Sequence, residues 1–91
     1  MSEKMLRVAK STNAKSLGSA IANEFEKFDT IVLRAIGVQA VNQTVKAIAI
    51  ANGFLGQRGS IIHTVIGFQN VVVEDRADTT VTALNFMCKL H

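Results

Sequence analysis

The sequence predicts an α+β fold: a two-layer β-α-β-α-β-β sandwich in which two helices pack on a four-stranded mixed sheet. Three observations carry that expectation. Residues 30–36 form a nearly unbroken apolar, β-branched run, the pattern of a central strand. From Val38 the pattern turns helical, with Val41, Val45 and Ile48 at i, i+4 and i+7. Residues 60–90 alternate with a period of two on either side of a short polar turn, as a hairpin does.

Taken in order, residues 5–10 alternate loosely and read as a first strand with Leu6 and Val8 inward. Ser11, Thr12 and Asn13 follow, and Asn13 or Thr12 can accept a hydrogen bond from a free N–H at the start of the next helix. That helix is expected over 14–27, with Leu17, Ile21, Phe25 and Phe28 as its buried stripe and Glu24 and Glu26 solvated. Gly18 and Ala22 are small and four apart, which lets the helix approach a neighbour closely. Asp29-Thr30 is a short turn, and the strand over 30–36 is expected to be covered on both faces. The chain turns at Gly37, where the absence of Cβ permits unusual backbone angles.

The second helix is expected to run from Val38 to Gly53, where glycine stops it. Val41, Val45 and Ile48 make its apolar repeat, beside Ala40, Thr44, Ala47, Ala51 and Phe54. Gln39, Asn42, Gln43 and Lys46 share a second stripe that is mostly amide. It reads equally as a contact surface or as an ordinary solvated face. Residues 55–59 form a glycine-rich loop. Over 60–74, Ile62, Thr64, Ile66 and Phe68 lie on one side of a strand and Ile61, His63 and Val65 on the other, with Gly67 marking a bulge or bend. Residues 74–78 are the polar hairpin tip. In the strand over 79–90, Thr82, Leu84, Phe86, Cys88 and Leu90 face inward, while Val81, Ala83, Asn85, Met87 and Lys89 face out. That outer face is apolar enough to suggest an oligomer interface, or else a poorly patterned strand.

Composition narrows the function. Ninety-one residues read as one domain over 1–91, whose modest core would profit from oligomerisation. No apolar run reaches the roughly 18–20 residues that cross a bilayer, so no membrane partner is expected. The start lacks a signal-peptide hydrophobic region and the single Cys88 excludes an internal disulfide, both consistent with a cytoplasmic location. Ten Lys and Arg against seven Asp and Glu give a net charge of +3. This permits nucleic-acid binding without requiring it, because affinity for phosphate comes from clustered cations.

No catalytic set is visible. His63 lies mid-strand, His91 is the last residue, and Cys88 has no CxxC partner and falls on an inward face. Glu24/Glu26 and Asp75/Asp78 are surface pairs without the buried environment that acid–base work needs. The glycines of 53–59 follow a helix instead of preceding one and lack the Lys-Ser/Thr of a phosphate loop. The expectation is therefore no enzyme, no metal, no cofactor and no small-molecule substrate. Cations offer more. Lys10 and Lys15 flank the first strand-to-helix loop, Arg34 ends the second strand, and Lys46 lies in the second helix. The two strand-to-helix junctions fall at the same end of such a sheet, where helix N-termini favour phosphate. Scattered solubilising charge accounts for the same positions about as well.

Residues 35–54, Ala-Ile-Gly-Val-Gln-Ala-Val-Asn-Gln-Thr-Val-Lys-Ala-Ile-Ala-Ile-Ala-Asn-Gly-Phe, resemble the signature of the stage V sporulation protein S family. Leu6-Arg7-Val8-Ala9-Lys10-Ser11 and Ser16-Leu17-Gly18-Ser19-Ala20-Ile21-Ala22 are similar to its start. More distantly the pattern resembles the Alba superfamily of chromatin and RNA-binding proteins, whose fold is similar to the C-terminal domain of translation initiation factor 3. The resemblance implies a dimer or tetramer that binds nucleic acid and regulates sporulation or development. It implies phosphate contacts at Lys10, Lys15, Arg34, Gln43 and Lys46, with Asn42 and Gln43 as base or backbone contacts. The sequence departs from the Alba pattern at Gln43, where a Lys is usual, and in its net-acidic 74–78 tip. Asn52 stands where the sporulation family usually has Arg. The alternative is a protein-interaction or self-assembly module with the same fold and no nucleic-acid binding.

Overall fold

The computed structural model describes residues 2–73 and 76–91, with the side chains of 73 and 76–79 outside the description. The elements are β1 (Glu3–Val8), α1 (Ala14–Glu24), β2 (Thr30–Ala35), α2 (Val38–Gly56), β3 (Ile62–Val73) and β4 (Arg76–Leu90). They form one four-stranded sheet in the order β1-β2-β4-β3. β1 and β2 are parallel, and β4 is antiparallel to β2 and β3. β3 therefore runs in the same direction as β1 and β2, so each helix is a crossover and the chain ends in a hairpin. The predicted α+β class and element order hold.

Register sorts the side chains into two faces. One row crosses the sheet as Leu6, Leu33, Phe86 and Ile66, and the next as Lys4, Ile31, Cys88 and Thr64. Ile31, Leu33, Phe86 and Cys88 are buried there beneath Ile21 and Ala22 of α1 and Ala47, Ala51 and Leu55 of α2. The opposite face carries the rows Met5–Val32–Met87–Val65 and Arg7–Arg34–Asn85–Gly67. No helix covers it. β2 is thus covered by a second layer on one face only, contrary to expectation. Val32 still falls to 5% exposure, because Met5 and Met87 flank it in register.

The second helix buries a different stripe from the one its valines suggest. Ala40, Thr44, Ala47, Ala51 and Leu55 are buried, whereas Val45 is exposed and Val41 and Ile48 are half-buried. Small residues win the inward position because α2 packs tightly against α1: Gly18 lies directly against Ile50 and the Ala47 carbonyl. The buried Thr44 hydroxyl is satisfied by donating to the Ala40 carbonyl at 2.9 Å. Nor does Gly53 end the helix. It is an exposed helical residue, and α2 runs on to Gly56 because Leu55 is anchored in the core and the Asn52 side chain accepts from Ile62 N–H at 2.9 Å. The turn falls instead at Gly59, with φ +79°, as the entry to α2 falls at Gly37, with φ +92°.

Other bounds shift by a turn or less. α1 stops at Glu24 and not at 27, leaving Phe25 and Phe28 half-buried in the turn that follows. β4 begins at Arg76, three residues earlier than the alternation suggests. Of the polar 74–78 tip, Glu74 and Asp75 lie outside the described residues.

Candidate nucleic-acid interface

The strand C-termini and helix N-termini meet at one end of the molecule. The β1–α1 connection is a tight turn there: Thr12 N–H donates to the Ala9 carbonyl at 3.0 Å, and Ala9 N–H donates to the Thr12 hydroxyl at 2.8 Å. Asn13 caps α1 by accepting from Ser16 N–H at 2.9 Å. Lys10 stands exposed on the turn and Lys15 exposed in the first turn of α1. Gln43 does not face solvent freely. Its amide donates to the Thr12 carbonyl at 2.6 Å, tying α2 to the β1–α1 turn.

The same contact positions Lys46, which is exposed about one helical turn further along α2. Both helices return from parallel strands, and Gly18 of α1 meets Ile50 of α2. Lys15 lies three residues before Gly18 and Lys46 four before Ile50, so both precede the point where the helices meet. Asn42 is exposed beside Gln43. Arg34 departs from this group. It lies on the open face, where its Nε donates to Asn85 Oδ1 at 3.3 Å and its Nη2 to Gln69 Oε1 at 3.0 Å. The structure therefore gathers Lys10, Lys15 and Lys46 with Asn42 and Gln43, and sets Arg34 on the other side of the sheet.

Charge is polarised along the strands. Glu3, Glu24, Glu26 and Asp29 all lie at the far end, with Lys4, Lys27, Arg58 and Lys89 among them. Glu26 and Arg58 pair there at 3.5 Å with both side chains well exposed, a contact of little energetic weight. At the junction end the described side chains supply Arg7, Lys10, Lys15, Arg34 and Lys46 and no carboxylate. The remaining acids, Glu74, Asp75 and Asp78, fall in the hairpin, where side chains are outside the description.

The groups considered for chemistry are placed as follows. His63 is exposed on the edge strand, its ring 4.6 Å from that of His91. Cys88 is fully buried, and its thiol lies 3.5 Å from the Thr64 hydroxyl. Burial pushes its pKa above the usual thiol value near 9.0, partly offset by that contact with Thr64. The fold favours the neutral thiol, so its stabilising contribution is complete below that value and is lost as pH rises beyond it. Ellman's reagent is expected to leave the native protein unlabelled at pH 8 and to label one thiol after unfolding in guanidinium. Rapid labelling of the native state would contradict the burial.

Two features escaped the sequence reading. Arg7 lies directly opposite Arg34 in register, a placement that needs the strand pairing. The large exposed apolar side chains are also not centred on the outer face of β4, where Ala83 is fully buried and Val81 half-buried. Val38 and Val45 of α2 and Ile66 and Phe68 of β3 instead stand exposed on the helix side. β3 contains no Lys, Arg, Asp or Glu across its 12 residues. That charge-free run was the available signal.

The sequence pattern of the family Stage V sporulation protein S (SpoVS) matches residues 4–88. The chain belongs to the stage V sporulation protein S family. The match spans every element except the first residue of β1 and the last residues of β4. Among solved structures, Alba from Thermoplasma volcanium is similar with a TM-score of 0.63 at 12% identity, covering 94% of this chain and 99% of that one. At that identity the likeness is one of fold, and the Alba-like architecture of this SpoVS-family chain is established by it. The family and the fold fit a regulatory role connected with sporulation.

Proposed function

We propose that this SpoVS-family protein is a non-enzymatic regulator that binds nucleic acid in the cytoplasm and acts as a dimer or tetramer. The observation that carries the reading is the junction end, where Lys10 and Lys15 border the N-terminus of α1, with Lys46 further along α2 and no described carboxylate at that end. The first turn of α2 has neither an acidic residue nor a side-chain cap, so its N–H groups remain available to an anion. In this reading the three lysines contact phosphates. Asn42 contacts a base edge or the backbone, and Gln43 holds the two loops in register. Arg34 contributes only if the strand wraps the sheet edge.

The test is fluorescence anisotropy with labelled duplex DNA and single-stranded RNA at two salt concentrations. Binding is expected to weaken with salt at a log–log slope of about −0.9 per phosphate neutralised on duplex DNA. The K15E/K46E double variant should lose about tenfold or more in affinity and show a shallower slope. Unchanged affinity would remove these lysines from the interface.

A second reading is supported by the charge-free edge strand: a self-assembly module that does not bind nucleic acid. Charged residues normally protect sheet edges, and β1 carries Glu3, Lys4 and Arg7 at the opposite edge. β3 carries none, which favours cover by a second copy. Failure of both nucleic acids to bind at low salt, with the dimer intact, would leave this reading in place.

A further inference from the structure

A cleft at the end of β2 includes none of Lys10, Lys15, Lys46, Ile66 or Phe68. It has a volume of about 400 Å³ and lies between the ends of β1 and β2 and the base of the β3–β4 arm. Arg7 and Arg34 supply its charge, and Val8, Ile36, Val71, Val72 and Val81 form the apolar remainder. That size is in the range of small-molecule sites, about 300–1,000 Å³.

The two arginines are directly opposite each other on adjacent parallel strands. Like charges in that relation repel, and strand pairs normally avoid them. Among the described residues no carboxylate lines the cleft. Arg34 is held by two amide oxygens, Asn85 Oδ1 at 3.3 Å and Gln69 Oε1 at 3.0 Å. The amides are fixed in turn, because Asn85 Nδ2 donates to Gln69 Oε1 at 3.2 Å. Neutral acceptors orient a guanidinium without cancelling its charge, and these two hold Arg34 over β4 and β3. Arg7 is exposed and makes no described hydrogen bond or ion pair.

We propose that this cleft binds a small organic phosphate monoester. Its doubly charged head group would be clamped between the forks of Arg7 and Arg34, and its apolar or aromatic body would lie on Ile36, Val71 and Val81. Two planar guanidinium groups match the charge and the several acceptor oxygens of a phosphate monoester better than those of a single carboxylate. A ligand that binds only the folded protein should also stabilise the fold. The proposal does not depend on nucleic-acid binding, because it uses a different face and includes none of Lys10, Lys15 or Lys46.

The experiment is isothermal titration calorimetry of the whole protein with phenyl phosphate, inorganic phosphate and benzoate, with melting temperature followed in parallel. Phenyl phosphate should bind most tightly and raise the melting temperature. Arg7→Gln and Arg34→Gln should each weaken it about tenfold. Lys89→Gln, which removes a cation from the same face far from the cleft, should leave it unchanged. The Arg7→Gln variant, whose residue is exposed, should keep the wild-type circular dichroism spectrum and so remain interpretable if Arg34→Gln is unstable. Equal weakening by Lys89→Gln, or no effect of Arg7→Gln, would overturn the site. So would phenyl phosphate binding no better than inorganic phosphate, since the apolar wall would then contribute nothing.

Discussion

Replacement of Gly18 by leucine is expected to prevent stable folding, and replacement by alanine to lower stability despite alanine's better helix propensity. A Cβ at this position would lie 2.7 Å from Ile50 Cγ2, 2.8 Å from Ile50 Cβ and 3.0 Å from the Ala47 carbonyl oxygen. Rotating the Ile50 side chain removes only the first of these contacts. Its Cβ and the Ala47 carbonyl are fixed to the backbone of α2, so the helices themselves must separate. Overpacking of this kind costs about 1–3 kcal/mol, against a gain of up to about 1 kcal/mol for exchanging a helical glycine for alanine. The net effect of Gly18→Ala is a loss of about 1 kcal/mol. Leucine adds three more carbons at the same point and consumes several kcal/mol of a stability that is typically only about 5–15 kcal/mol.

Gly53→Ala is the internal comparison. It lies in the same fold within a helix, and an added Cβ would meet nothing within 4 Å. It should raise stability by about 0.5–1 kcal/mol. Urea denaturation of the three variants measures all of this. A higher midpoint for Gly18→Ala than for wild type would show that α1 moves away without penalty, and that the close helix contact is not needed.

If the protein forms the proposed dimer, Phe68→Lys is expected to convert it to a monomer in sedimentation analysis while leaving the fold intact. Phe68 is 76% exposed and Val38 86%, and with Val45 and Ile66 they form an apolar flank on the helix side of the sheet. An exposed long apolar edge strand without charges is an association hazard unless something covers it. A second copy of the same surface would remove that area from water at roughly 25 cal/mol per Å². A lysine at its centre would strand a charge in the interface. The monomer tolerates the change because residue 68 is already exposed. Met87→Lys separates this interface from the one suggested by the outward side of β4. Met87 is 42% exposed on the open face, and its replacement should not alter the mass. The reverse pattern, with Met87→Lys dissociating the dimer and Phe68→Lys leaving it whole, would move the interface to the open face.

The parity of the strands was legible in the sequence. Leu6 and Val8, and the alternating Leu84, Phe86 and Cys88, face the helices as their spacing indicates. Parity, however, does not reveal which side has a second layer. Ile66 and Phe68 share the parity of Phe86 and Leu84, yet they stand exposed because they lie on the edge strand past Ile62, the β3 residue that α2 covers. Helix α2 misled for a related reason. Hydrophobicity favoured its valines as the core stripe, whereas close packing on α1 favoured its alanines. The cationic positions were also legible as residues, but their grouping was not. Lys15 and Lys46 both precede the Gly18–Ile50 contact between the helices, whereas Arg34 lies on the open face, where it donates to Asn85 and Gln69.

By itself, then, the sequence determined the element order, the fold class and the family, because those depend on local periodicity and on a contiguous motif. Only the tertiary structure decided which apolar stripe is core and which is surface, and which cations share a face. Those are properties of contacts between elements far apart in the chain, and strand order and helix spacing set them where no local pattern can.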